Sequence, residues 1–419
     1  MNANLRSRIA RTAGFTLVEI MIGLLIGVIG IVIIMQVYAV SENYKRTATS
    51  GTDAQINGAV ALYLLEREIR LAGYGMNSLV PLGCTTVRVW TTSTGSGADL
   101  PMVPLAINPA GVPAGDANTD VLLVSYGTSS NFVGGVQADQ ASAAADFSIT
   151  YNRDGFRNGD LVVAMQPGAG PGGTNSCVMY ELTAVPSAAG NCGSASATLG
   201  HGTASYKNSN NGCVATTPKH NAAGAMTDSA GGTVPALNHI TGGQLFDLGS
   251  FMIKVYAVRG GNLTYCEWLK KDCTVVANYD VAVNDIASLR AAYGEDFDGA
   301  PLPITAMGDG KVDQWSRAAL TTSNQVSRVL AAALQVTARS GLKEKPSNGG
   351  TVCDATLSAS RPDRGQTKDW YEPFKSMESP AGTLATGAID LSGTSADWKC
   401  YRYKLFQTAV PLRNMIWRP

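Results

Sequence analysis

From Ile20 to Ser41 the chain carries no charged residue, and almost every position is apolar. A run of that length predicts one helix able to cross about 30 Å of hydrocarbon. The pattern then becomes mixed but stays helical over residues 41–72. Ile56, Val60, Tyr63, Leu64 and Leu71 recur at spacings of three, four and seven, which predicts a single apolar face. Glu66 and Arg70 stand four apart, as an exposed helical ion pair would. Gly73 and Gly75 are stop signals, and Gly51 and Gly58 are weak points within the helix. One continuous helix over 15–72 would be roughly 87 Å long.

Beyond Tyr74 the period shortens. Apolar runs at 121–126, 161–165 and 177–185 predict buried strands. Residues 251–258 and 263–266, separated by Arg259-Gly260-Gly261-Asn262, predict a hairpin. Ala287, Leu289, Ala291 and Tyr293 alternate as in a half-buried strand, and 326–338 and 401–416 are further strand candidates. The stretches 91–118, 166–176, 186–243 and 341–396 are rich in small and polar residues and predict loops, with 186–243 long enough for an inserted subdomain. The expected fold class is α+β: a long N-terminal helix packed on a large, loop-rich antiparallel β head.

Composition narrows the class. The 32 basic and 32 acidic residues cancel, so no basic excess points to nucleic acid. Charged residues are only 15% of the chain and glycine is abundant, as in extracytoplasmic β proteins. Arg6, Arg8 and Arg11 precede the apolar run with no acid among them, which holds this end in the cytoplasm and sends the rest outward. No small-x-small cleavage site follows the run, as it would after a secretory signal. Eight cysteines without a CxxC pair, behind an export segment, predict disulfides. Eight cysteines allow 105 pairings. Cys266–Cys273, around Lys270-Lys271-Asp272, and Cys353–Cys400, closing a C-terminal loop, are the preferred ones, with buried free thiols as the alternative.

Glu19 stands at the start of the apolar run. A carboxylate within a membrane helix costs roughly 2.5–3.5 kcal/mol. It either snorkels to the interface or needs a cation at the same depth. Cutting the chain between Gly14 and Phe15 would create one, a free α-amine. The stretch Gly14-Phe15-Thr16-Leu17-Val18-Glu19, with its basic leader and apolar helix, resembles the class III signal of type IV pilins and type II secretion pseudopilins. The resemblance implies that a prepilin peptidase cuts after Gly14 and methylates Phe15. It also implies that Glu19 neutralises the Phe15 amine of a neighbouring subunit during assembly. Residues 62–74, ending Glu68-Ile69-Arg70-Leu71-Ala72-Gly73-Tyr74, are similar to the helix end of PilW-type minor pilins, and J-class pseudopilins, generally smaller proteins, share part of this pattern. The ending from Tyr401 to Asn414, with Tyr401-Arg402-Tyr403-Lys404 and Pro411-Leu412-Arg413-Asn414, looks like the ending of the same PilW-type proteins.

That resemblance divides the chain into a leader (1–14), a membrane segment (15–40), a periplasmic helix (41–74) and a head (75–419). It implies a minor pilin that helps to initiate pilus assembly in a tip complex. Its partners would be the peptidase, other minor pilins, the major pilin, a tip adhesin and the inner membrane. The head would face the periplasm and later lie on the fibre. A J-class pseudopilin, or a head acting directly as a surface- or metal-binding adhesin, are the alternatives.

One stretch of the head has cation chemistry. Asp296 and Asp298, then Asp309, Lys311 and Asp313, alternate with glycines, as in loops that wrap oxygens around calcium. The aspartates would offer side chains and Lys311 its carbonyl; an acidic solvated turn is the other reading. Residues 300–308 split the run, whereas PilW-type sequences often carry it compactly. His201, His220 and His239 with Cys213 lack zinc-type spacing. No Gly-x-Ser-x-Gly elbow or phosphate loop is present, so the sequence supports no enzyme and requires no cofactor.

Overall fold

The computed structural model describes residues 14–76, 84–91, 96–129, 135–138, 146–149, 155–166, 176–222, 226–227, 233–234, 243–296, 308–344, 346, 352–356 and 390–416. The basic leader, Asp298 and His239 lie outside them. The α+β expectation holds. A single helix runs from Leu17 to Leu71, 55 residues without a break, or roughly 80 Å. Its stretch Leu17–Glu42 is long and apolar enough to cross a membrane, and none of it is buried against the rest of the chain. The second half of the helix lies on the β head.

Three larger sheets, with three two-stranded ones beside them, build the described part of the head. The four-stranded sheet runs in the order Gln314–Ser316, Ile286–Glu295, Val329–Arg339, Tyr403–Pro411. The five-stranded sheet runs Asp280–Val283, Asn262–Glu267, Met252–Arg259, Val121–Tyr126, Leu105–Ile107. The six-stranded sheet runs Ser96–Pro101, Thr86–Thr91, Ser176–Glu181, Leu161–Gln166, Gln244–Gly249, Val136–Gln137. All their pairings are antiparallel except Thr86–Thr91 against Ser176–Glu181, which is parallel.

The layering explains the continuous apolar runs. Leu122, Val124 and Tyr126 face the long helix with Leu65 and Ile69, while Val121 and Leu123 face Val163, Met165, Met179 and Phe246 of the six-stranded sheet. A strand buried on both faces reads as an apolar run rather than an alternation. The outer face of the six-stranded sheet is covered in turn. Val162, Ala164, Val178 and Tyr180 pack against Phe147, Phe156, Leu199 and Ala222. The described part of 186–243 is therefore woven into the head: Leu199–Gly200 pairs with Asp146–Phe147, and Cys192 bonds Cys213.

Several expectations need correction. The buried face of the helix is not Ile56, Val60, Tyr63 and Leu71, which are 55, 48, 68 and 42% exposed. It is Ala54, Gly58, Ala61, Leu65, Ile69 and Ala72. The helix lies so close to the four-stranded sheet at Gly58 that a Cβ there would fall 2.1 Å from the Phe406 ring, so small residues (Ala54, Gly58, Ala61) form this part of the contact, and Leu65 and Ile69 fill the core further along. Ile286–Glu295 is buried on both faces rather than half-buried. Leu289, Ala291 and Tyr293 face the helix, while Ala287 packs with Leu391 and Tyr403 on the other side. The stretch 91–118, expected as loop, contributes Ser96–Pro101 and Leu105–Ile107. Each is an outermost strand with one neighbour, where little apolar content is needed. Residues 401–416 are not one strand: Pro411 has no N–H to continue a ladder, and a short helix, Arg413–Ile416, follows. Residues 323–327 are likewise helical, capped by Thr322 and Gln325, before the strand Val329–Arg339 begins.

All eight cysteines are paired. Cys266–Cys273 and Cys353–Cys400 form as expected. Cys84–Cys177 ties the two parallel strands of the six-stranded sheet, and Cys192–Cys213 closes the outer cover.

Candidate functional site

Gly14 and Phe15 are exposed and non-helical, and the helix begins only at Leu17. Thr16 is the N-cap. Its hydroxyl accepts a hydrogen bond from Glu19 N (3.3 Å), and Glu19 Oε2 accepts from Thr16 N (2.8 Å) and Thr16 Oγ1 (2.9 Å). This is a capping box, and it puts an acid in the first turn, where the helix dipole favours negative charge. Glu19 is therefore held at the helix entrance by its own chain, with its carboxylate four residues from Phe15 and still exposed. The Thr16-x-x-Glu19 spacing signals this box in the sequence, and it gives Glu19 a partner within its own chain.

The other end of the helix is fastened by residues that periodicity does not reveal. Glu68 is almost wholly buried. It accepts from Arg67 Nη2 (2.9 Å), Tyr126 Oη (2.8 Å) and Lys254 Nζ (3.1 Å). Burial pushes its carboxyl up, but the Arg67 and Tyr126 hydrogen bonds and the Lys254 charge outweigh burial and hold it below its usual value. At the helix C-terminus the Asn414 side-chain amide lies 3.3, 3.2 and 3.1 Å from the carbonyls of Arg70, Leu71 and Ala72. These are end carbonyls that no helical N–H can reach. The Pro411-Leu412-Arg413-Asn414 ending thus caps a helix more than 300 residues away in sequence, at a separation of 344 for Arg70. The expected Glu66–Arg70 pair is also present.

The acidic stretch is partly assembled. Asp296, Asp309 and Asp313 each place a carboxylate oxygen within 4.8 Å of the others. Lys311 meets this group through its backbone amide, which donates to Asp309 Oδ1 (2.9 Å), and its ammonium, which pairs with Asp309 Oδ2 (2.5 Å). The histidine set does not converge among the described residues. His201 stacks on Phe147 and Tyr180, His220 Nδ1 lies 3.1 Å from the Trp90 carbonyl, and Cys213 is in a disulfide.

No protein-family model matches the chain, and no curated protein does. Among solved structures, a type IV-like pilin from Thermus thermophilus is similar over 40% of this chain and 71% of its own, at 18% identity and a TM-score of 0.22. At that level of similarity, what the protein does must be read from its own residues.

Proposed function

We propose that this chain is a PilW-type minor pilin: a structural subunit, not an enzyme, that is cut after Gly14, methylated at Phe15 and built into the tip of a type IV pilus. The observation that carries the reading is the start of the long helix, where an accessible Gly14–Phe15 bond, a capped Glu19 and a membrane-length apolar segment stand in succession. After the cut, the Phe15 amine and Glu19 are opposite charges at nearly the same depth. Each is costly in lipid alone and tolerable when paired across subunits, so pairing favours polymerisation.

The exposed stripe of Ile56, Val60 and Tyr63 supports the same reading. It lies opposite the face that packs on the head, and it suits contact with neighbouring helices in a fibre. The partners in this reading are the prepilin peptidase, the major and other minor pilins, and a tip adhesin. The head occupies the periplasm before assembly and the cell surface afterwards.

Mass spectrometry of the mature N-terminus tests the processing step. The expected product starts at N-methylated Phe15; an intact Met1, or a start beyond residue 40, overturns it. Glu19→Ala is expected to insert in the membrane normally and to be depleted from sheared fibres. Unchanged incorporation would refute the pairing role.

A further inference from the structure

We infer that Asp296, Asp309 and Asp313 form a binding site for a hard divalent cation of the calcium class, which locks the end of the four-stranded sheet. Asp296 directly follows the strand Ile286–Glu295, and Asp313 directly precedes its partner Gln314–Ser316. The two strand ends are already joined, because Asp313 N donates to the Glu295 carbonyl (3.0 Å). Asp309 is brought in by a turn at Gly310, which has φ of 79°, and Gly310 N donates to Asp296 Oδ2 (3.0 Å). The three carboxylates thus converge through backbone geometry, each with an oxygen within 4.8 Å of the others.

Convergence of acids alone does not make a site. The second observation is Asp296 itself. It is only 5% exposed, and its Oδ1 is buried and receives no hydrogen bond. Among the described residues, no basic side chain pairs with it. A buried carboxylate oxygen left without a partner is costly. The backbone also crowds this group: a Cβ on Gly308 would fall 1.9 Å from Asp296 Oδ1, so only glycine admits the carboxylate in this position. Lys311 neutralises Asp309, but its side chain is 77% exposed and can swing away at little cost.

The donors are all oxygens, which select calcium, magnesium or manganese over zinc or copper. The donors come from two strand ends and one turn rather than from a single regular element, an irregular set that favours the larger, less geometrically demanding calcium over octahedral magnesium. Calcium takes six to eight oxygens, so water and backbone carbonyls would complete the shell around the three carboxylates.

The test uses the full chain in detergent, stripped with EDTA and then melted with or without millimolar calcium, magnesium or zinc chloride. A calcium-selective rise in Tm of roughly 3 °C or more is expected. Asp296→Asn and Asp309→Asn should each abolish the rise. Asp309 is 43% exposed, so its variant folds even if the buried substitution does not. A wild-type chain whose Tm ignores calcium, a rise retained in both variants, or a response to zinc in place of calcium would each overturn the assignment. This outcome is independent of N-terminal processing, so it stands or falls apart from the pilin reading.

Discussion

Glu19 is bonded within its own chain. Thr16 supplies an amide and a hydroxyl to its carboxylate, so pairing with a neighbour's amine would add to, or exchange with, contacts already made. Two buried acids in the head, Asp160 and Asp247, make stability depend on pH. Burial, and then the charge of Asp247, push the Asp160 carboxyl up to about 7, and burial raises Asp247 as well. A folded chain that keeps this proton up to about pH 7 and an unfolded one that releases it near 3.8 differ in a definite direction. The contribution to stability is complete below pH 3.8 and is lost as pH rises through about 7. Asp247→Asn retains an acceptor for Gly249 N and turns an amide toward Ser129, while removing one of the two charges. Urea unfolding at several pH values should show wild-type stability declining between about pH 4 and 7 and levelling off above, with a shallower decline in the variant. Equal slopes would mean that the two acids do not share the burden.

Along the helix, two glycines that look alike in sequence have opposite roles. A Cβ on Gly51 meets nothing within 4 Å, whereas one on Gly58 meets the Phe406 ring at 2.1 Å. Alanine in a helix interior gains roughly 0.5–1 kcal/mol over glycine. Overpacking a close contact costs roughly 1–3 kcal/mol. Gly51→Ala should therefore raise Tm, and Gly58→Ala should lower it, because the clash exceeds the propensity gain. Thermal melts of the two single variants decide this; a stabilising Gly58→Ala would show that the helix can lift off Phe406 cheaply. The same contact accounts for the misassigned face. Periodicity marks where large apolar residues recur, but the head binds a stripe that begins with the small Ala54, Gly58 and Ala61 and ends with Leu65 and Ile69, leaving Ile56, Val60 and Tyr63 outward.

The head is held together by links between distant stretches. Cys84–Cys177 spans 93 residues and Cys266–Cys273 spans 7. In the chain-entropy account the longer loop stabilises by roughly 4–5 kcal/mol and the shorter by roughly 2 kcal/mol. Replacing both cysteines of the first pair by serine should lower Tm more than the same change in the second, measured by calorimetry under oxidising conditions. The reverse order would indicate that strain or residual structure outweighs loop entropy. Asp120 joins two sheets in the same manner. Arg290 and Arg317 pair with it, and its N–H donates to the Leu289 carbonyl (2.8 Å), so the four- and five-stranded sheets meet at a buried charge cluster.

Local and short-range features of this protein are legible from the chain alone. The membrane-length run, the acid in the first helical turn, the Arg259–Asn262 hairpin and the Cys266–Cys273 loop all depend on residues close to one another in the chain. Propensity, hydrophobicity and short loop closure decide such features without reference to the rest of the fold. Tertiary structure decided what depends on long separations. Which stripe of the helix is buried follows from Phe406, the cap on its last carbonyls comes from Asn414, and Glu68 is satisfied by Tyr126 and Lys254. Asp296, Asp309 and Asp313 converge only because two strands pair beside them. No period or spacing encodes these meetings, since each is the result of layers closing over one another to bury both faces of their strands.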